Sequence, residues 1–233
     1  MVNINTVYQT VLTLANKEQR GYITPQEFNL YATQAQMSIF EQYFYDLNQF
    51  LRVPGNDTPH ADMVDMLEEK IALFRKTNRV VGGGTNLPDD LYKLEIVQWK
   101  DPSTNKFYTA ERINQKEWED IKNTSLLAPT DQRLAYIRNQ NRIAVQGKSS
   151  KTTNVTCSYI FAPSNPNWTY AVINEKALYN PNATDHNHFE LHESEQTELV
   201  VRILGLAGIT LKDPNLYQIA STEESKQIQN QKR

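Results

Sequence analysis

The feature that most constrains the fold is one long amphipathic stretch, from Thr24 to Arg52. Apolar side chains recur in it every three or four residues, which is the period of one face of an α-helix. The main stripe consists of Phe28, Ala32, Ala35, Ile39, Tyr43, Leu47 and Phe50, and a second stripe consists of Met37, Phe40, Phe44 and Leu51. A helix of this length has to bury such a face, so the stretch predicts a helical bundle built around it.

The ends of this helix are also marked in the sequence. Thr24 is an expected N-cap, Pro25 suits the first helical position, and Glu27 completes a capping box with Thr24. The Val-Pro-Gly sequence after Arg52 ends the helix, because proline lacks a backbone donor and restricts the residue before it. The predicted helix is about 40 Å long at ~1.5 Å per residue.

Shorter periodic stretches predict the remaining elements. Helical spacing is found at 4–14, 61–79, 111–127 and 195–207. Asn114 is the expected cap of the third of these helices, Ser194 caps the fourth, and Gly208 ends it. Alternation typical of strands is found at 91–99, 136–137, 143–145 and 155–161. A further strand at 168–172 is expected to pair with the strand at 155–161 after a turn.

Together these patterns predict an α+β fold, with a helical bundle around one long amphipathic helix, a β-rich middle module and an extended polar C-terminal arm. Residues 1–84 and 190–220 are expected to form the bundle, 85–189 the β-rich module and 221–233 the arm. Gly82 to Gly84 are expected to form a hinge, since no Lys-Ser/Thr pair of a phosphate-binding loop follows them. The arm is too polar to fold alone, which is typical of a tether in an assembly.

Charge and composition exclude several classes of protein. The chain has 233 residues and a formal net charge of -3, which argues against a protein that binds nucleic acid by neutralising phosphates. The single cysteine excludes an intrachain disulfide, and Cys157 is expected to be a buried structural thiol. The N-terminus lacks a secretion signal and no stretch approaches the ~20 apolar residues that span a bilayer. We therefore expect a soluble protein made inside the cell, with no membrane partner.

A candidate calcium site overlaps the start of the long helix. The residues at positions 1, 3, 6, 8 and 12 of an EF-hand loop are Asn16, Glu18, Gly21, Ile23 and Glu27. Position 5 holds Arg20, whose guanidinium would repel the ion. A glycine-assisted turn followed by the capping box explains the segment without a metal, so no metal site is expected here.

A second candidate site is a histidine-rich segment. His186, His188 and His192 lie close to Asp185 and Glu190, and on a strand the first two histidines would face the same way. The H-E-x-x-H spacing of catalytic zinc sites on a helix is absent. The end of a strand followed by a helix cap explains the segment without a metal. No cofactor is expected.

Four segments of the chain carry a resemblance to a known family. They are ANKEQRGYITPQEFN with the aromatic helix after it, LPDDLYKLEIV, YIFAPSNPNW and FELHESEQTELVVRILGLAGITLKDPNL. In their order along the chain and in their amino-acid sequences, these segments resemble head-to-tail connector proteins of short-tailed bacteriophages, and in particular ring or adaptor proteins of crAss-like phages. The resemblance covers most of the chain.

The resemblance implies a structural virion protein with no catalytic residues. Its copies would form a closed ring, expected to be twelve-fold, between the portal and the tail. The implied partners are further copies of the chain, the portal protein and adjacent tail or neck proteins, while DNA would pass through the ring without specific binding. The protein would be made in the host cytoplasm and would act in the virion.

The C-terminal arm is expected to reach a neighbouring copy or the portal, with Lys226, Lys232 and Arg233 as candidate contact residues. Three alternatives stay open. The chain could be a tail-tube or gatekeeper component of the same particle, or a calcium-regulated interaction module that uses Asn16, Glu18 and Glu27. The third alternative is a metal-dependent hydrolase that uses the three clustered histidines.

Overall fold

A computed structural model describes residues 1–17, 23–52, 58–81, 86–124, 128–174 and 176–210. The chain forms two compact units, which we call the helical unit (Met1–Leu73 with Pro163–Arg233) and the β unit (Phe74–Ala162). The fold belongs to the α+β class, as the sequence predicts. The module boundaries expected from the sequence lie elsewhere: residues 74–84 belong to the β unit, and residues 163–189 belong to the helical unit.

The described elements follow in chain order. They are α1 (Ile4–Lys17), α2 (Pro25–Arg52), α3 (Thr58–Ala72), β1 (Arg75–Val80), β2 (Leu91–Lys100), β3 (Phe107–Arg112), α4 (Gln115–Asn123), β4 (Leu134–Asn139), β5 (Arg142–Gln146), β6 (Ser150–Lys151), β7 (Val155–Phe161), β8 (Tyr170–Ile173), β9 (Lys176–Tyr179), a 3₁₀ turn (Glu193–Glu195) and α5 (Gln196–Thr210).

Helix α2 organises the helical unit as the sequence predicts. The Glu27 carboxylate accepts a hydrogen bond from the Thr24 N–H at 2.9 Å, and the Thr24 hydroxyl accepts one from the Glu27 N–H, which completes the capping box. The main apolar stripe is buried as far as Tyr43, whereas Leu51 is exposed. Helix α2 packs against α3 and α5, and α1 packs against α5. The bundle core therefore covers the first two thirds of α2.

Trp168 joins three parts of the helical unit. Its buried indole donates a hydrogen bond to the Asn5 side chain at 3.1 Å, and its backbone N–H donates to the Asn29 side chain at 2.8 Å. The rings of Tyr170 and Tyr179 stack on it from the β8–β9 hairpin. The predicted pairing of this strand with the strand at 155–161 is therefore wrong. β8 pairs with β9, because the cross-strand tyrosines bury their rings on Trp168.

The β unit is one curled sheet of seven strands, in the order β1-β7-β2-β3-β4-β5-β6. Strands β3 and β4 are parallel and are joined by a crossover that contains α4, whereas the other neighbours are antiparallel. Asn114 caps α4, as predicted, and the structure adds a capping box with Glu117. One face of the sheet encloses a core that includes Val97, Trp99 and Cys157. Burial raises the pKa of the Cys157 thiol to about 11, which confirms the prediction of a buried thiol.

The helix predicted at 61–79 is too long. Helix α3 ends at Ala72, and β1 follows it with backbone pairing to β7. Arg75 and Lys76, which the predicted helix would place near its C-terminus, instead face carboxylates of the β unit. Arg75 binds Glu95 with two hydrogen bonds, and Lys76 pairs with Asp90 at 2.5 Å. Sheet pairing has overridden the local helical periodicity.

Helix α5 also differs from the prediction at both ends. Its start is preceded by a 3₁₀ turn whose cap is His192, because the imidazole accepts a hydrogen bond from the Ser194 N–H. Ser194 is therefore not the N-cap. Gly208 does not end the helix, which continues to Thr210, since glycine is tolerated within a helix at a cost of only about 1 kcal/mol.

Candidate functional site

A buried ionic network connects α5 with α2. The Arg202 guanidinium donates to the Glu198 carboxylate through Nε at 3.0 Å and through Nη2 at 2.6 Å. It also donates to the side chains of Ser38 and Gln42 on α2. Burial raises the pKa of Glu198, and the positive charge of Arg202 opposes that shift. The arrangement holds two helices together.

A second buried ion pair extends this network to α3. Lys70 Nζ lies 2.6 Å from the Glu195 carboxylate and 5.5 Å from the centre of the Tyr43 ring. The Tyr43 hydroxyl is buried and has no hydrogen-bond partner among the described residues. It lines a cavity of about 20 Å³ beside Asp46 and Glu195, which is large enough for one water molecule. Burial and the nearby carboxylates raise the pKa of Tyr43. The cluster is therefore structural, and it ties α3 to the bundle.

The clustered histidines make contacts that fix the local fold. His186 lies 3.1 Å from the Tyr179 hydroxyl and 3.3 Å from the Thr169 hydroxyl, and its ring meets that of His188 edge to face at 4.7 Å. His188 Nδ1 accepts a hydrogen bond from the Ile4 N–H at the start of α1. Since these imidazoles serve as partners of the protein's own groups, the structure does not bring them together as a ligand set.

His188 makes the stability of the helical unit depend on pH. Burial, followed by the nearby His186 and the N-terminal amino group, lowers the pKa of His188 below its usual 6.5. The folded chain therefore binds this proton less tightly than the unfolded chain, and the stability contribution is complete above the ordinary pKa and is lost as pH falls below it. We expect the urea concentration at the unfolding midpoint to decrease as the pH is lowered from about 7.5 to about 5.

The variant His188→Gln keeps an acceptor for the Ile4 N–H and cannot titrate. We therefore expect its urea midpoint to decrease less steeply than that of the wild type over the same pH range. His192→Asn is the matched control, because asparagine also caps helices and His192 is exposed. If the urea midpoint of His188→Gln changed with pH as steeply as that of the wild type, another group would be responsible for the pH dependence.

The candidate calcium ligands that the structure describes, Asn16 and Glu27, lie in two different helices. Asn16 lies within α1, and the carboxylate of Glu27 is engaged in the capping box of α2. The hydrogen bonds from Thr24 lower the pKa of Glu27. Glu18 lies outside the described residues. Within the described ranges, no group of three or more His, Cys, Asp or Glu side chains is placed to hold a metal ion.

The tip of the β8–β9 hairpin presents an apolar surface, which we call the hairpin tip and define as Val172, Ile173 and Leu178. Val172 is 67% exposed and Ile173 is 53% exposed. Ala171 pairs with Leu178 and Ile173 pairs with Lys176, so Ile173 and Leu178 share one face while Val172 lies on the other. The base of the hairpin is fixed on Trp168. Exposed apolar side chains that extend from a packed base are typical of an interaction surface.

Sequence reasoning did not find this surface, although a signal was present. The segment AVINEKAL places three aliphatic residues around a polar turn, which is the pattern of a short hairpin. The buried network was also missed. Glu198 and Arg202 are four residues apart on the inward side of α5, and such a spacing indicates an ion pair. The candidate contacts Lys226, Lys232 and Arg233, the arm at 221–233 and the hinge at Gly82 to Gly84 lie outside the described residues.

A groove of about 610 Å³ lies within the β unit, between α4 and the loop that leads to β4. Arg112 and Arg133 line it together with three carboxylates, those of Glu111, Glu117 and Asp120. Its described lining contains neither histidine nor cysteine. The groove therefore offers charges of both signs to a polar ligand.

Comparison with family models and with curated proteins supplies no relative from which a function could be transferred. No family model matches the chain, and no curated protein matches it. Within the part of the chain that the structure describes, none of the helices combines the length and the apolar character that a membrane crossing requires.

Proposed function

We propose that the protein is a structural component of the head-to-tail connector of a tailed bacteriophage, in which its copies form a ring that lines the DNA channel between portal and tail. The sequence resemblance supports the proposal. Among the structural features, the hairpin tip carries it. Exposed aliphatic side chains on a fixed hairpin lower the free energy of a chain only when a partner covers them.

The buried ionic network supports the same proposal in a different way. Arg202, paired with Glu198 on the same helix, joins α5 to α2 through its hydrogen bonds to the side chains of Ser38 and Gln42. The Lys70–Glu195 pair joins α3 to the 3₁₀ turn before α5. These contacts depend on direction as well as on burial. A ring subunit has to present its contact surfaces in one fixed geometry if the ring is to close. A bundle locked by such pairs meets that requirement.

The test is quantitative mass spectrometry of purified virions from the source of the chain, with the major capsid protein as the internal reference. We expect about a dozen copies per particle, which is the count that the family resemblance implies for one closed ring and that closed symmetry permits. Absence of the chain from the particle would contradict the proposal.

The same measurement tests the hairpin tip. In particles assembled with the double variant Val172→Thr and Ile173→Thr, we expect the copy number to fall at least tenfold while the melting temperature changes little, because both side chains are exposed. Leu30→Thr is the matched control, since Leu30 is an exposed aliphatic residue on α2. Equal copy numbers in all three proteins would show that the hairpin tip is not a contact surface.

A further inference from the structure

The two units carry opposite formal charges. Residues 74–162, the β unit, contain 14 Lys and Arg but only 9 Asp and Glu, a formal charge of +5. The remainder of the chain contains 10 Lys and Arg against 18 Asp and Glu, a formal charge of -8. The net charge of -3 conceals this division. Copies of such a chain attract one another when the β unit of one approaches the helical unit of another.

The acidic unit presents an exposed face of α3, which we call the acidic patch and define as Asp62, Asp65, Met66, Glu69 and Leu73. These residues recur at helical spacing on the side opposite the buried Leu67 and Ile71. Met66 is 55% exposed, and Leu73 is exposed just after the helix. No ion pair within the described residues involves the three carboxylates. The patch therefore combines uncompensated negative charge with exposed apolar surface.

The basic unit presents a surface of the matching kind, which we call the basic patch and define as Ile96 and Lys100 on β2, Lys106 in the turn before β3 and Phe107 on β3. Lys100 and Phe107 are direct cross-strand partners, and Lys100 Nζ lies 5.6 Å from the Phe107 ring centre. Phe107 is 51% exposed. The nearest carboxylate in the turn, that of Asp101, already accepts hydrogen bonds from Ser103 and Thr104. The patch therefore combines two lysines, of which Lys100 lies beside Phe107, with exposed apolar side chains.

We propose that the acidic patch of one copy docks on the basic patch of the next copy. Such a contact joins two different surfaces, so it repeats from copy to copy and closes into a ring when the rotation per copy allows it. The inference rests on the proposed function, because it names the contact that would build the connector ring. It also gives the hairpin tip a separate role, as a surface free to meet another protein.

A second copy fits the basic patch better than DNA does. Lysines around an exposed aromatic ring could also meet a nucleic acid strand. However, Ile96 and Phe107 need an apolar partner as well as a negative one, and the acidic patch supplies both through Met66 and its neighbouring carboxylates. Duplex DNA presents its phosphate backbone, which supplies only the charge, while its bases stay stacked on one another.

The experiment uses two charge-reversal variants of the full chain. Variant one carries Asp65→Lys and Glu69→Lys, and variant two carries Lys100→Glu and Lys106→Glu. Self-association is measured by sedimentation velocity over a concentration series that reaches on the order of 1 mM. We expect each variant alone to need at least about 100-fold more protein than the wild type to associate, because like charges then face each other.

The decisive step is to mix the two variants. Variant one has two positive patches and variant two has two negative patches, so an equimolar mixture restores opposite charges at every contact. We expect the mixture to associate within about tenfold of the wild-type concentration. Rescue by mixing can arise only between chains, so it separates docking from a defect in folding.

Matched controls reverse charges outside the patches. Glu41→Lys with Glu193→Lys controls the first variant, and Lys116→Glu with Lys148→Glu controls the second, since all four side chains are exposed. We expect both controls to associate as the wild type does, and all variants to keep the wild-type melting temperature within a few degrees. Equal loss in the controls would overturn the inference and indicate an effect of net charge.

Two further outcomes would overturn the inference. One is a wild-type chain that stays monomeric over the whole series. The other is a variant two that associates normally but no longer retards a DNA duplex that the wild type retards, which would assign the basic patch to nucleic acid. Neither outcome removes the chain from virions, so the count of copies per particle still tests the proposed function separately.

Discussion

Replacing Arg202 by methionine is expected to lower the free energy of unfolding by about 3 to 5 kcal/mol near neutral pH. The substitution removes the only cation that this structure places in hydrogen-bond contact with Glu198 among the described residues, while the carboxylate stays buried. It also takes the donors away from Ser38 and Gln42 on α2. Urea denaturation of the wild type and the variant measures the difference.

The loss should depend on pH in a defined direction. Burial raises the pKa of Glu198, and without the guanidinium nothing in this pair opposes the shift. The folded variant then binds the proton more tightly than the unfolded chain, so its stability deficit is largest above the raised pKa and shrinks as pH falls through that pKa. Comparison with the wild type at each pH cancels the titration of groups that both proteins share.

The double variant Arg202→Met with Glu198→Gln is the control for the buried charge. It removes the charge along with its partner, so we expect it to recover more than half of the loss at neutral pH. A single variant as stable as the wild type would show that the pair contributes nothing. A double variant no better than the single one would assign the loss to packing of the arginine stem.

The combined substitution of Phe40 and Phe44 by alanine is expected to cost about 5 kcal/mol. Phe40 is fully buried in the bundle, and the two rings meet edge to face with their centres 5.1 Å apart. Truncating both removes this contact and leaves a cavity at the centre of α2, the helix that packs against α3 and α5. Thermal and urea unfolding of the same samples provide the measurement.

Tyr45→Ala is the matched control for this variant. Tyr45 lies on the same helix as Phe40 and Phe44, but its side chain is exposed, so its loss should change the free energy of unfolding by about 0.5 kcal/mol or less. If the double phenylalanine variant were as stable as this control, the second apolar stripe of α2 would be a contact surface between copies and not part of the core.

The elements that depend on neighbours in the sequence were predictable. The capping boxes at Thr24 and Asn114 and the apolar face of α2 all follow from residues three or four positions apart. The burial of Cys157 also followed from local alternation along β7. In each case the deciding interaction lies within one element, so the pattern of one segment contains it.

The elements that depend on distant partners were not predictable. Residues 75–80 have a helical pattern, but they form β1 because β7, some eighty residues later, offers them a backbone ladder. The strand that follows Trp168 pairs with β9 instead of β7, because the rings of Tyr170 and Tyr179 stack on the Trp168 indole. Local propensities differ by less than 1 kcal/mol per residue, and tertiary packing outweighs them.

The candidate surfaces show the same division. The sequence by itself determined the acidic helical face at 62–69 and the total charge of each stretch, because both are properties of residue order alone. Only the tertiary structure decided that Lys100 lies beside Phe107, that Arg202 is buried with Glu198, and that the hairpin tip is left uncovered. Burial and proximity are set by which segments meet in space. They govern both the strength of the interaction between two charges and the availability of an apolar surface.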